Sequence, residues 1–298
     1  MGWIIAFGMI LLICIAEWMR EIHTFVVTHY EIASPKLQSW KTEKKFLVLS
    51  DLHNTSYGKE NAKLLEAIYK EQPDLILIAG DMLVGKPNRD AIVAQKLVEQ
   101  LAGICPVYYA NGNHEYRMKI YPEVYGSTFA KYKAALEEKG VIFLENASEK
   151  IVLDGVEFTL SGLEIDKKYY SKGKRYSYPL EEMEQQIGER DEKSYQILFA
   201  HNPLYMNTYL KWKADLILSG HLHGGVVRIP GVGGVITPQF GLFPYYSGEH
   251  RKKGKTDVVV SRGLGTHTIK IRFLNTAELI VLHMNGGKDG DSGKVTSV

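Results

Sequence analysis

Five short hydrophobic runs in this chain each end in residues that can bind a cation or move a proton. Residues 46–49 run into Asp51 and His53, and residues 75–78 into Gly80-Asp81. Residues 107–110 run into Asn111-Gly112-Asn113-His114-Glu115, 197–200 into His201, and 216–218 into Gly220-His221-Leu222-His223. Five of the ten histidines fall at these ends. Carboxylates, imidazoles and amide oxygens gathered in this way suit a divalent cation of the manganese, iron or zinc kind, and such cations serve hydrolytic chemistry. The chain has only two cysteines, which rules out both a thiolate metal site and a disulfide framework.

To act together, these ends must be brought to one place, and the elements between them say how. The runs are near-continuously apolar, as strands buried on both faces are. Helical spacing recurs between them at 61–70, 91–101 and 128–139, the last with Ser127 as candidate N-cap and Gly140 placed to stop it. This is the rhythm of βαβ units, whose ligands collect at the carboxyl ends of the strands, where glycines let the backbone turn sharply. Beyond residue 225 the pattern becomes strands without helices, at 226–229, 258–261, 269–273 and 279–283, separated by Gly-rich turns. The two regimes together predict an α/β fold: a four-layer αββα sandwich of two mixed sheets flanked by helices.

The ordered set of D-x-H at Asp51-Leu52-His53, G-D at Gly80-Asp81, G-N-H-E at 112–115, His201 and G-H-x-H at 220–223 resembles the calcineurin-like metallophosphoesterase family. Residues 261–265 and 271–275, with the apolar N-terminus and a strand near 28–32, look like its membrane-associated bacterial phosphodiesterase branch. That branch acts on lipid-linked or nucleotide-linked phosphates. The resemblance implies two divalent ions, one held by Asp51, His53 and His223, the other by Asn113, His201 and His221, with Asp81 bridging. His114 would face the substrate phosphate and leaving group. The family pattern often carries a second acidic residue shortly after its G-D, and residues 82–85 here supply none.

The residue types fit that chemistry. Two cations about 3.5–4 Å apart clamp phosphate oxygens and lower the pKa of a bridging water, so that a metal-bridging hydroxide serves as nucleophile. Neutral imidazoles and an amide oxygen complete the coordination without building up negative charge against an anionic substrate. His114 would stabilise the phosphate oxygens or protonate the leaving alkoxide, with Glu115 orienting its ring. Tyr116, Arg117 and Tyr245 are candidates for substrate contact.

Composition bounds the rest. Of 298 residues, 45% are hydrophobic and 23% charged, with a net charge of +2, so the chain is globular and has no basic field for nucleic acid. Residues 2–16 are uninterruptedly apolar or glycine, and counting on to Met19 gives the length of a marginal membrane span. We expect residues 1–20 to be an uncleaved single-pass anchor, 21–284 a metallophosphoesterase domain and 285–298 a flexible tail containing a poor calcium-loop match at 289–293. Arg20, Lys36, Lys41, Lys44 and Lys45 follow the span, which puts the body on the cytoplasmic side. The expected activity is that of a membrane-tethered dinuclear-metal phosphohydrolase of phosphodiesterase type. The alternatives are a hydrolase of UDP-sugar-lipid or other lipid-linked pyrophosphates, and a non-catalytic metal-binding scaffold.

Overall fold

Successive side chains of a strand point to opposite faces, so a continuous apolar run needs partners on both. A computed structural model, which describes residues 2–171, 176–229, 231–237, 241–266, 270–287, 293 and 295–297, supplies them. The chain begins α1 (Gly2–Glu21), β1 (Phe25–Ser34), β2 (Lys44–Leu49), α2 (Ala62–Glu71), β3 (Leu75–Ile78), α3 (Ile92–Ala102) and β4 (Val107–Ala110). It continues α4 (Asn113–Ile120), α5 (Pro122–Tyr125), α6 (Thr128–Glu137), β5 (Ile142–Leu144), β6 (Ala147–Leu153), β7 (Val156–Leu163) and α7 (Leu180–Ile187). There follow β8 (Tyr195–Ala200), α8 (Met206–Trp212), β9 (Leu216–Ser219), β10 (Val227–Ile229) and β11 (Gly233–Ile236). The last are β12 (Glu249–Lys253), β13 (Thr256–Val260), β14 (Ala277–Gly286) and β15 (Val295–Ser297).

One sheet has the order β15-β1-β14-β2-β3-β4-β5 and the other β12-β13-β9-β8-β7-β6, while β10 and β11 form a separate ribbon. Both large sheets are mixed. Strands β2 to β5 run parallel, with β14 antiparallel beside them; β13, β9, β8 and β7 run parallel between antiparallel β12 and β6. Alternation sorts the side chains into three cores. Phe46, Val48, Leu77 and Ile280 meet Phe158, Ile197, Phe199 and Leu218 between the sheets. Leu47, Leu49, Ile76 and Ile78 point the other way, onto Leu64, Ile68, Leu97 and Leu136 of the helices. On the far side Leu198, Ile217 and Val260 pack on Met183, Tyr209 and Trp212. The result is the αββα sandwich, and its parallel strands deliver all five motif loops to one end.

Three local expectations differ. Residues 269–273 alternate like a strand, but among the described residues only Phe273 makes a single bridge, to Val227; Ile269 lies outside those described. The reason is Arg272, which is buried and donates to the carbonyls of Arg262, Gly263, Gly265 and Asn275 at 2.8–3.1 Å, pinning the segment as a strap. Ser127 precedes α6 without a side-chain capping bond. The segment expected to be a flexible tail carries the end of β14 and all of β15, which pairs antiparallel with β1 at Thr28, His29 and Tyr30. Asp289 and Asp291 of the calcium-loop match lie outside the described residues. At the other end, α1 is 20 residues long, about 30 Å at 1.5 Å per residue, and is apolar enough to cross a membrane by length and composition.

Candidate metal centre

Each ligand candidate sits where a strand has just ended. Asp51, His53, Asp81, His221 and His223 all have positive φ, between 48° and 69°. Non-glycine residues adopt this left-handed conformation at a cost of about 1–2 kcal/mol each. Strain of this kind clusters where side chains must point into a site. Neighbouring glycines make the room: a Cβ on Gly112 would run into the Asp81 carboxylate, and one on Gly220 into Ser50 and the Asp51 carboxylate.

The motif side chains converge in two groups, Asp51, His53 and His223 in one and Asp81, His201 and His221 in the other, and a third set, His53, Asp81 and His114, spans them. His53 Nε2 lies 3.2 Å from His223 Nε2, and Asp51 Oδ1 lies 3.5 Å from His223 Nε2 and 3.8 Å from His53 Nε2. Asp81 Oδ2 is 3.1 Å from His201 Nε2 and 3.9 Å from His53 Nε2, so one carboxylate faces both groups. Asn113 opens α4, and its Oδ1 is buried without a hydrogen-bond partner among the described residues. Buried polar atoms in that condition are costly unless something binds them. A donor set of imidazole nitrogens, two carboxylates and one amide oxygen fits a divalent cation.

The outward nitrogens decide which histidines can be ligands. Nδ1 of His53 donates to Leu83 O at 3.1 Å, that of His201 to Ala79 O at 2.7 Å, and that of His223 to Gly265 O at 3.1 Å. A neutral ring that donates from Nδ1 presents the Nε2 lone pair inward, as a metal requires. His114 is wired the opposite way. Its Nδ1 accepts the Gly85 N–H at 2.8 Å, so the neutral ring carries its proton on Nε2, 3.9 Å from Asp81 Oδ2. It is a proton donor aimed at the site.

Glu115 does not orient that ring. It is fully buried and accepts from the backbone N–H of Asp81 (2.9 Å), Leu83 (2.8 Å) and Gly112 (3.1 Å) and from the Tyr109 hydroxyl (3.0 Å). It therefore staples the Gly80-Asp81 loop to the start of α4, which is the support for Asp81 that residues 82–85 lack. The His114 N–H completes it by donating to Asp81 Oδ1 at 2.8 Å. Removing these acceptors by Glu115→Ala leaves three buried N–H groups unpaired and is expected to cost about 3 kcal/mol or more, at about 1–3 kcal/mol each. The urea midpoint of metal-loaded protein measures it, and an unchanged midpoint would contradict the stapling role.

Arg117 donates to Gly85 O at 2.7 Å and lies 3.4 Å from His114 Nδ1, so it backs the loop that holds His114. Tyr116 is half-buried in α4. Tyr245 is 56% exposed and bonded by Lys253 Nζ at 2.6 Å, on a surface loop and not among the gathered ligands. Two contributors lie outside the five ligand motifs. Ser50 Oγ donates to Asp51 Oδ2 at 2.6 Å, and Asn275 Nδ2 to His223 O at 2.7 Å. Histidines outside the motifs pair elsewhere, His250 with Asp257 and His29 with His283.

Packing anions and imidazoles together redistributes protons. Burial pushes the Asp51 carboxyl up to about 6. Burial also opposes charge on Asp81, but the His201, His114 and His53 rings overcome it and hold that carboxyl well below its ordinary range. Burial would lower His201, yet the Asp81 and Asp51 carboxylates hold it up to about 10. A cation entering beside Asp81 must displace that proton. Ion uptake near neutral pH is therefore expected to release protons. The apparent affinity should weaken about tenfold per unit of acidification below about 10, and more steeply below about 6, where Asp51 is also protonated. Calorimetric titration in buffers of different ionisation enthalpy counts the protons, and a buffer-independent heat would contradict the linkage.

The sequence profile described as calcineurin-like phosphoesterase matches residues 44–225. The chain is 27% identical over 273 residues to an uncharacterized metallophosphoesterase of Bacillus subtilis, YkuE, covering 88% of this chain and 86% of that one. It is 26% identical over 269 residues to an uncharacterized metallophosphoesterase of Aquifex aeolicus, covering 89% and 94%. A solved dimetal phosphatase from Danio rerio superposes at a TM-score of 0.46 and 12% identity, over 82% of this chain and 94% of that one.

Proposed function

Because the chain belongs to the calcineurin-like phosphoesterase family and is a metal-dependent phosphoesterase, we propose that it is a membrane-tethered phosphohydrolase of phosphodiesterase type working with two divalent ions. Asp51, His53 and His223 would hold one ion and Asn113, His201 and His221 the other, with Asp81 shared; manganese, iron and zinc all suit these donors. When bound, the ions supply Lewis-acid clamping of phosphate oxygens and a water acidic enough to attack at neutral pH.

The observation that carries this reading is the opposed wiring of the histidines: His53, His201 and His223 tie Nδ1 to backbone carbonyls and leave Nε2 for a cation, while His114 ties Nδ1 to an N–H and turns in a proton on Nε2. Only two anionic side chains stand among the seven ligands, so the doubly loaded site keeps a net positive charge for an anionic ester. His114 Nε2–H is placed to bond a phosphate oxygen or protonate the leaving oxygen, and Arg117 and Gly85 keep it in that orientation. Residues 1–20 serve as the bilayer anchor, and the cations that follow place the body on the cytoplasmic side in this reading. Lipid-linked pyrophosphates are the second substrate reading, favoured by the bonds from Glu21, the last residue of α1, to the Asn275 N–H (3.1 Å) and Thr276 hydroxyl (3.0 Å) beside the site.

The test is hydrolysis of bis-p-nitrophenyl phosphate and p-nitrophenyl phosphate after metal removal and stepwise return of manganese, iron or zinc. Turnover that returns with two ions per chain and favours the diester supports the proposal; turnover that persists without metal sinks it. Chelation is also expected to lower the thermal midpoint, by the equivalent of about 2.7 kcal/mol for an ion that had been present at a hundred times its Kd.

A further inference from the structure

The chain between the last metal-ligand candidate and β12 has an unusual makeup. Residues 222–248 contain no Asp or Glu and a single cation, Arg228; residues 258–277 likewise lack carboxylates and carry Arg262, Lys270 and Arg272. The described parts of these segments build one small platform. The strap at Phe273 bridges Val227 of β10, β10 pairs with β11, and Leu242 bridges Ile236 of β11. Each element of it turns large apolar side chains to solvent: Ile271 and Leu274 from the strap, Ile229 and Val232 from the ribbon, Leu242 and Phe243 beyond it. Val232, Leu242 and Phe243 are 61–67% exposed.

The platform joins two other features. Trp18 of α1 donates from Nε1 to Lys270 O at 2.7 Å, so it begins where the exposed apolar helix ends. On its inner side Asn275 ties it to the metal centre, donating to His223 O at 2.7 Å and also to Gly225 O, while Glu21 accepts the Asn275 N–H. At the rim, Tyr245 lies beneath Arg251 (4.4 Å) and Lys253 (4.9 Å), an aromatic–cation group of the kind that sits at headgroup level.

We propose that the β10–β11 ribbon and the 270–274 strap form a bilayer-seated surface that holds the mouth of the metal centre against the membrane, so that it meets phosphates carried on lipid headgroups. The proposal rests on reading α1 as an anchor and the centre as a phosphohydrolase. The bilayer is the occupant because the surface continues from α1, is apolar at its tips and lacks carboxylates. That combination inserts into the boundary of headgroups and acyl chains and tolerates anionic lipid. Ile229, the end of β10, is six steps along the chain from His223, so at about 3.3–3.6 Å per residue it stays within about 22 Å of that ligand.

The test uses the full chain in vesicles of three parts zwitterionic to one part anionic phospholipid, with or without brominated acyl chains. An environment-sensitive fluorophore is placed on one cysteine at a time: Val232→Cys, Phe243→Cys or Val152→Cys with Cys14→Ala and Cys105→Ala, and native Cys14 with Cys105→Ala alone. Brominated lipid is expected to quench 14, 232 and 243 by about half or more and to leave 152, exposed on β6, unchanged. Quenching at 14 alone overturns the proposal while the anchor stands; no quenching at 14 overturns the anchor reading and the proposal with it. Signals at 232 and 243 that follow protein concentration in detergent instead make the surface a contact between copies, and the proposal fails. Turnover of bis-p-nitrophenyl phosphate by the same preparations judges the hydrolase separately: its absence alongside intact quenching removes that reading and keeps the bilayer seat.

Discussion

Asp81→Asn is expected to leave a folded protein that turns over phosphodiesters at least about a thousandfold more slowly, a loss of about 4 kcal/mol of transition-state stabilisation. Asp81 is the side chain that faces both ligand groups: Oδ2 lies 3.1 Å from His201 Nε2 and 3.9 Å from His53 Nε2, while Oδ1 accepts the His114 N–H at 2.8 Å. An asparagine keeps the shape but has one oxygen. If that oxygen keeps the bond to His114 N, the amide N–H groups point at the space between the imidazoles and repel a cation there. If the amide turns over, the His114 N–H loses its acceptor and the first turn of α4 loosens. Either way half of the anionic charge among the ligands is gone. Metal analysis should find fewer than two ions per chain, with an unchanged circular dichroism spectrum. Turnover within tenfold of the parent, with both ions retained, would remove Asp81 from the bridging position.

His114→Ala is expected to lower kcat by about 10²–10⁴ and to keep both ions. The ring is held by the Gly85 N–H on Nδ1 and presents Nε2–H to the site, so its loss removes a proton donor and no ligand. The size of the effect should depend on the ester. A p-nitrophenolate leaving group needs little help from an acid, whereas an alkyl alkoxide does, so the loss should be larger for alkyl esters if His114 protonates the departing oxygen. An equal loss for both esters would assign His114 to the phosphate oxygens instead. Loss of a bound ion would place it among the ligands and contradict the wiring seen here.

Much of this centre is legible in the sequence because it is written in local pattern. Both-face burial requires continuous apolar runs, and β2, β3, β4, β8 and β9 form on those at 46–49, 75–78, 107–110, 197–200 and 216–218. Each run is followed at once by its ligand candidates, so residue type and order give the donor set without any knowledge of packing. The αββα layering follows too, since parallel strands joined by helices must be covered outside, and the helix-free C-terminal strands must join them edge to edge.

The tertiary structure decides what depends on neighbours far along the chain. Nothing in the residue types of Asp51, His53, Asp81, His221 and His223 announces a left-handed backbone; the packing around the strand ends imposes it. Glu115 follows His114 and so reads as its partner, yet it is spent on backbone groups of another loop more than thirty residues away. Arg272 turns an apparent strand into a strap because four carbonyls converge on its guanidinium. Glu21 and Asn275 meet across 254 positions. In each case the side chain is of a common type whose role is set by the donors and acceptors that surround it. Sequence fixes which groups a residue offers, and only folding fixes which groups it finds.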